Sequence, residues 1–141
     1  MQPIGQSPRR QADAQPPAKD VYVIFLRLAP AFAANLACAG VMDAVTGAAR
    51  EGRPPSAETL AALGLPIDFV HLFIERLGYL LKLREAGVLR AAGPFADLNE
   101  GIYVCNVVDE REARRILEDD PLYQAGFIEH DFVVRRWHAV L

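Results

Sequence analysis

The chain has 141 residues, 52% of them hydrophobic and 23% charged, with a formal net charge of −3, which is the size and make-up of one domain with a sizeable core. The charge balance excludes a duplex nucleic-acid binder, which needs a basic stripe to displace counterions, and a polybasic membrane anchor. Cys38 and Cys105 stand far apart, so neither a disulfide framework nor a metal-type spacing is present, and no metal or cofactor is expected.

Residues 1–19 are rich in Gln, Pro, Ala and Arg without periodicity and read as a disordered tail ahead of a domain over 20–141. Asp20 opens VYVIFLRL, a strand apolar on both faces and therefore central. Residues 31–50 are Ala-rich and read as helical, weakened by Gly40 and Gly47. The run 21–49 carries only Arg27 and Asp43 as charges. Arg27 and Pro30 interrupt it and a polar stretch precedes it, so it is neither a secretory signal nor a membrane helix, and a cytoplasmic location is expected.

GRPP at 52–55 is a loop, Ser56 is the N-cap of a short helix, and Gly64 stops it. Pro66 and Asp68 open a long amphipathic helix whose stripe runs through Phe69, Phe73, Leu77 and Leu80, with Gly87 as its stop. VLRAAGPF is a second strand, and its small residues Ala91, Ala92 and Gly93 leave room for a ligand or a close neighbour. Asp97, Asn99 and Gly101 form a turn into the strand IYVCNVV. Asp109 with Glu112 makes a capping box for EREARRILED, whose excess carboxylates read as a solvated face. Asp120-Pro121 closes that helix, and FIEHDFVVRRWHAVL reads as the last strand.

Setting aside 31–66 as a helical insertion leaves βαββαβ, an α+β unit of ferredoxin-like type. Its helices cover one sheet face only, so a homodimer that buries the other face is the economical arrangement.

The segments LGYLLKLREAGVLRAAGPF and EAxxxxxxDPLYQAGF, with a last strand ending in Trp, resemble the YCII-related proteins. AGxLxxAGPF and DPxxxAG are specific when taken together. The resemblance covers the first strand and residues about 69–138. It implies a dimeric α+β barrel, and for a few members lyase-type chemistry on hydroxylated rings. It also implies an active pair: a His on the long helix and the Asp of Asp-Pro. The Asp corresponds to Asp120. Where the His is expected, just before LGYL, this chain has Arg76. His71 falls on the polar face and does not replace it.

On a helical wheel that starts at Phe69, Arg76 falls at about 340°, inside the apolar stripe. A guanidinium there must pair with a carboxylate, snorkel, or face a wet pocket. It cannot serve as a base. Asp120 is a turn residue or the inherited acid. His130, aligned with Ile128, Phe132 and Val134 in a strand reading, is a packed residue or an acid/base. Arg27, alternating with Val23 and Phe25, is a strand-end charge or a substrate contact.

Two functions follow. One is a lyase- or isomerase-type enzyme on a small cyclic oxygenated or anionic substrate, with Arg76 and Arg27 binding it and Asp120 or His130 moving a proton. The other is a non-catalytic small-molecule-binding or structural dimer. A dry Arg76–Asp120 pair would favour the second, and a cavity shared by Arg76 and His130 the first. Neither a nucleic-acid partner nor a membrane is expected.

Overall fold

The computed structural model describes residues 20–140, so the tail reading of 1–19 lies outside the described residues. The fold is mixed α+β. Strand β1 (Asp20–Arg27) is followed by helices α1 (Pro30–Leu36), α2 (Val41–Arg50), α3 (Ala57–Ala62) and α4 (Ile67–Glu85). Strands β2 (Leu89–Pro94) and β3 (Glu100–Val107), helices α5 (Glu110–Glu118) and α6 (Pro121–Gln124), and strand β4 (Val133–Trp137) complete it. The four strands form one antiparallel sheet in the order β2-β3-β1-β4. The twice-apolar β1 is central, as its sequence requires, and Pro94-bearing β2 lies at an edge.

One sheet face carries Tyr22, Ile24 and Leu26 from β1 and Tyr103, Cys105 and Val107 from β3, all buried. Helices α4 and α5 cover it. Helix α4 buries Val70, Phe73 and Leu77, the spacing that puts side chains on one helical face. Its end is a Schellman turn: Val88 N–H donates to Leu83 O and Gly87 N–H to Arg84 O, with Gly87 at φ 77°. Ser56 and Asp109 act as N-caps, accepting from Thr59 N and Glu112 N. The Glu112 carboxylate in turn accepts from Val108 N–H, one residue earlier than in a standard capping box.

The helical reading of 31–50 is corrected to two helices. The chain breaks after Leu36, and Gly40, at φ 87°, starts α2 in a new direction, bent 77° from α1. Among the described residues, no single helix is long and apolar enough to cross a membrane. Helix α1 is integral to the core. Phe32 is fully buried, with its ring 5.0 Å from Phe73 and 6.1 Å from both Phe69 and Phe127. Helix α2 buries only Val41.

The last strand is also shorter than its apolar run suggests. It starts at Val133, because β1 pairs with it only from Val21 to Phe25. Beyond Phe25 a single bridge, Leu28 to Ile128, links the two segments. Ile128 and Phe132 are buried while residues 129–131 turn outward, so the burial follows a loop rather than an alternating strand.

The other sheet face is mixed: apolar around Phe25, with Arg135 opposite Val23 and Asn106 opposite Val21. Register places Phe25 beside Ile102 and Val133, and Val23 beside Val104. Phe25, Val133 and Trp137 are exposed on it.

Candidate functional site

Helix α4 lies across the sheet with Arg76 pointing down at β3. Its Nη2 donates to the Tyr103 hydroxyl at 2.7 Å, and that hydroxyl donates to Asp120 Oδ2. Asp120 is fully buried. Its Oδ1 accepts from Leu122 N–H at 2.8 Å, and Arg76 Nε lies 3.5 Å from Oδ2, outside hydrogen-bond geometry. Close by, the Tyr79 hydroxyl donates to Ile116 O at 2.6 Å.

Local sequence explains each placement. Arg76 is held inside the α4 stripe, between Phe73 and Leu77. Tyr103 shares the inward face of β3 with Cys105 and Val107. Asp120 does not close α5, which ends at Glu118. It is the N-cap of α6, with Pro121 at the first helical position. A carboxylate is favoured at that end of a helix, so the helix-end reading of Asp120 is corrected in both position and sign.

The electrostatics are those of a matched pair joined by a neutral phenol. Burial pulls the Arg76 pKa down, but the Tyr103 oxygen and the Asp120 carboxylate outweigh it, and the net shift is upward. Burial, and after it the Asp120 carboxylate that accepts its proton, lift the Tyr103 phenol above its ordinary 10.0, with Arg76 opposing. The phenol is therefore neutral at physiological pH and can both accept from Arg76 and donate to Asp120. Burial, then the charges of Asp120 and Asp119, raise Tyr79 as well. Burial pushes the Cys105 thiol up to about 12.

Arg76 also borders a cavity of about 320 Å³ between α4, the β1–β3 end of the sheet and helix α2. Leu26, Leu28 and Phe73 supply its floor, and Met42, Val45, Thr46 and Ala49 of α2 roof it. Arg76 and Thr46 are the lining residues with polar side chains. Of the small residues of β2, Ala92 and Gly93 line the cavity, together with Pro94, and Ala91 does not. Gly101 faces them so closely that a Cβ there would lie 2.7 Å from Gly93 O. A site of this volume and apolarity fits a small organic molecule.

The predicted site residues separate. Arg76 and Asp120 meet. Arg27 sits at the strand end, in an exposed ion pair with Asp131. His130 is not on the strand that the sequence suggested. It is exposed in the 129–131 turn, hydrogen-bonded to the Tyr123 hydroxyl at 2.8 Å through Nδ1. It is not among the residues lining the cavity.

Tyr103 and Thr46 escaped sequence reasoning. Tyr103 was detectable in principle, since a tyrosine on the inward face of a central strand must find a partner for its hydroxyl. Thr46 carried no local signal.

Residues 73–138 match the YCII-related domain. Over that segment, a little under half of the chain, the protein is similar to YCII-related proteins. The matched segment starts within α4 and ends after β4, so it includes Arg76, Tyr103 and Asp120 but not the α2 roof of the cavity. No curated protein matches the chain. Among solved structures, the chain is similar to the 5-chloro-2-hydroxyhydroquinone dehydrochlorinase of Burkholderia phenoliruptrix AC1100, determined in complex with 2,5-dihydroxybenzoquinone. The two are 16% identical over 84% of this chain and 93% of that one, with a TM-score of 0.46. A likeness at that level informs neither the site nor its chemistry.

Proposed function

We propose that this protein binds a small cyclic, oxygenated molecule in the cavity beneath α2, and that it does so as a homodimer of ferredoxin-like units. The observation that carries the binding reading is the position of Arg76. Arg76 lines an apolar, single-ring-sized cavity, while its partner Asp120 is fully buried and already engaged by Tyr103 and Leu122 N–H. An oxygen on the ligand would take a hydrogen bond from Arg76, and the apolar walls would hold the ring. The dimer reading draws on the exposed Phe25, Val133 and Trp137, which a second sheet would bury.

The lyase- or isomerase-type reading needs a group at the cavity that exchanges a proton near neutral pH. Arg76 and Thr46, the polar lining residues, do not titrate there. Asp120 is fully buried behind Arg76 and does not line the cavity, with each oxygen hydrogen-bonded, and His130 faces solvent beside Tyr123. The geometry therefore favours binding over acid–base catalysis, with Arg76 and Thr46 as the contacts and with no part for Arg27.

Ligand-observed NMR with phenol, catechol and cyclohexanone tests this. Saturation transfer to at least one ring is expected in the native protein, together with its loss in Ala49→Phe, which fills the cavity from α2. Binding that survives Ala49→Phe, or no ring bound at all, would reject the site. Turnover of catechol by the native chain would reject the non-catalytic reading.

A further inference from the structure

The charge of Arg76 is already matched before any ligand arrives. Asp120 is the compensating carboxylate, at 3.5 Å from Nε and fully buried. Tyr103 lies between them as an uncharged phenol, bonded to both. The remaining polar lining group is Thr46, also neutral, and the other lining residues are apolar or backbone. The site therefore offers a hydrogen-bond donor without a net positive charge. An anionic ligand would bring an unmatched charge into an apolar cavity, where the desolvation of a charge is costly. A neutral carbonyl, amide or phenol oxygen would take the same Arg76 N–H at no such cost.

From this we propose that the cavity selects neutral, single-ring ligands bearing a hydrogen-bond-accepting oxygen, and discriminates against the corresponding carboxylates. The inference rests on the ligand-binding reading above and decides between its oxygenated and anionic branches. It reverses the expectation that an arginine in a pocket marks an anion site: Arg76 donates a hydrogen bond, and its charge is taken by Asp120.

Benzamide and benzoate have nearly the same shape and differ in charge, which makes them the probes. Calorimetric titration of the full chain is expected to show benzamide bound roughly tenfold more tightly than benzoate, since one unmatched charge separates the two complexes. Asp120→Asn keeps an Oδ1 acceptor for Leu122 N–H, so the α6 cap survives. It leaves Arg76 uncompensated, and the preference is expected to invert toward benzoate.

Benzoate binding as tightly as benzamide in the native protein, or an unchanged preference in folded Asp120→Asn, would overturn the proposal while leaving the cavity a ligand site. Failure of benzamide, benzoate and phenol alike to bind would overturn both. Should Asp120→Asn not fold, the native benzamide-to-benzoate ratio decides alone.

Discussion

Asp120 lies 3.5 Å from Arg76 Nε, yet both of its oxygens take their hydrogen bonds elsewhere, from Tyr103 and from Leu122 N–H. The pair is thus electrostatic at its core and hydrogen-bonded through an intermediary. It also joins three parts of the chain that are remote in sequence: α4, β3 and the start of α6.

Tyr103 is the member whose loss reads most directly. Tyr103→Phe keeps the ring but strands Arg76 Nη2 and Asp120 Oδ2 without their bonds, at a cost of about 2–4 kcal/mol. Urea unfolding measures it, and a midpoint equal to that of the native protein would show that the phenol bridge contributes nothing.

Removing one partner of the pair is expected to cost more than removing both. Arg76→Met leaves a buried carboxylate unpaired and should cost about 3–5 kcal/mol. Adding Asp120→Asn should return a substantial part of that loss, a coupling visible in a double-mutant cycle. Strict additivity of the two changes would contradict the pairing.

Stability should fall in alkali from a defined point. The unfolded chain ionises Cys105 near 9.0 and tyrosines near 10.0, whereas the folded chain holds Cys105 protonated to about 12 and Tyr103 and Tyr79 above their ordinary value. Over that interval the unfolded state binds fewer protons, so its population grows as pH rises. The contribution is complete below pH 9 and is lost progressively above it. Urea midpoints at pH 8, 9, 10 and 11 test this, with Cys105→Ala expected to delay the onset. A flat profile across the range would refute it.

The open sheet face predicts association. The native chain should sediment as a dimer, and Phe25→Glu, which places a charge at the centre of that face, should yield a folded monomer. A native monomer at all accessible concentrations would remove the dimer reading.

Gly101 is a steric requirement of the cavity mouth. A Cβ there would meet Gly93 O at 2.7 Å and Pro94 Cα at 3.2 Å, backbone atoms that cannot rotate away. Gly101→Ala should therefore cost about 1–3 kcal/mol and weaken ring binding by displacing β2. An unperturbed thermal midpoint would show that the β2–β3 approach is looser than it stands here.

Much of this was legible from local chemistry. The central position of β1 followed from its two apolar faces, the start of α5 from Asp109, the end of α4 from Gly87, and the oddity of Arg76 from helical periodicity. Each of these depends on neighbours within a few residues. Two of the failures have the opposite cause. The run 127–141 reads as one strand because its residues favour a strand, but strand length is set by how far β1 offers partners, and that ladder stops at Phe25. His130 lost its expected setting for the same reason. Asp120 read as a helix end because α6 is only four residues long, too short to show a period.

The sequence by itself determined most of the elements, the N-caps at Ser56 and Asp109, the glycine stop of α4, the YCII-related segment and the presence of a guanidinium on an apolar helical face. Only the tertiary structure decided what that guanidinium is. The sequence left a dry Arg76–Asp120 pair or a cavity shared with His130, and the fold is neither: Arg76 is paired with Asp120 and borders a cavity that His130 does not line. No local pattern encodes that. The compensating charge comes from the start of α6, the bridging phenol from β3 and the cavity roof from α2, and burial in a low-dielectric interior couples groups that the chain keeps far apart.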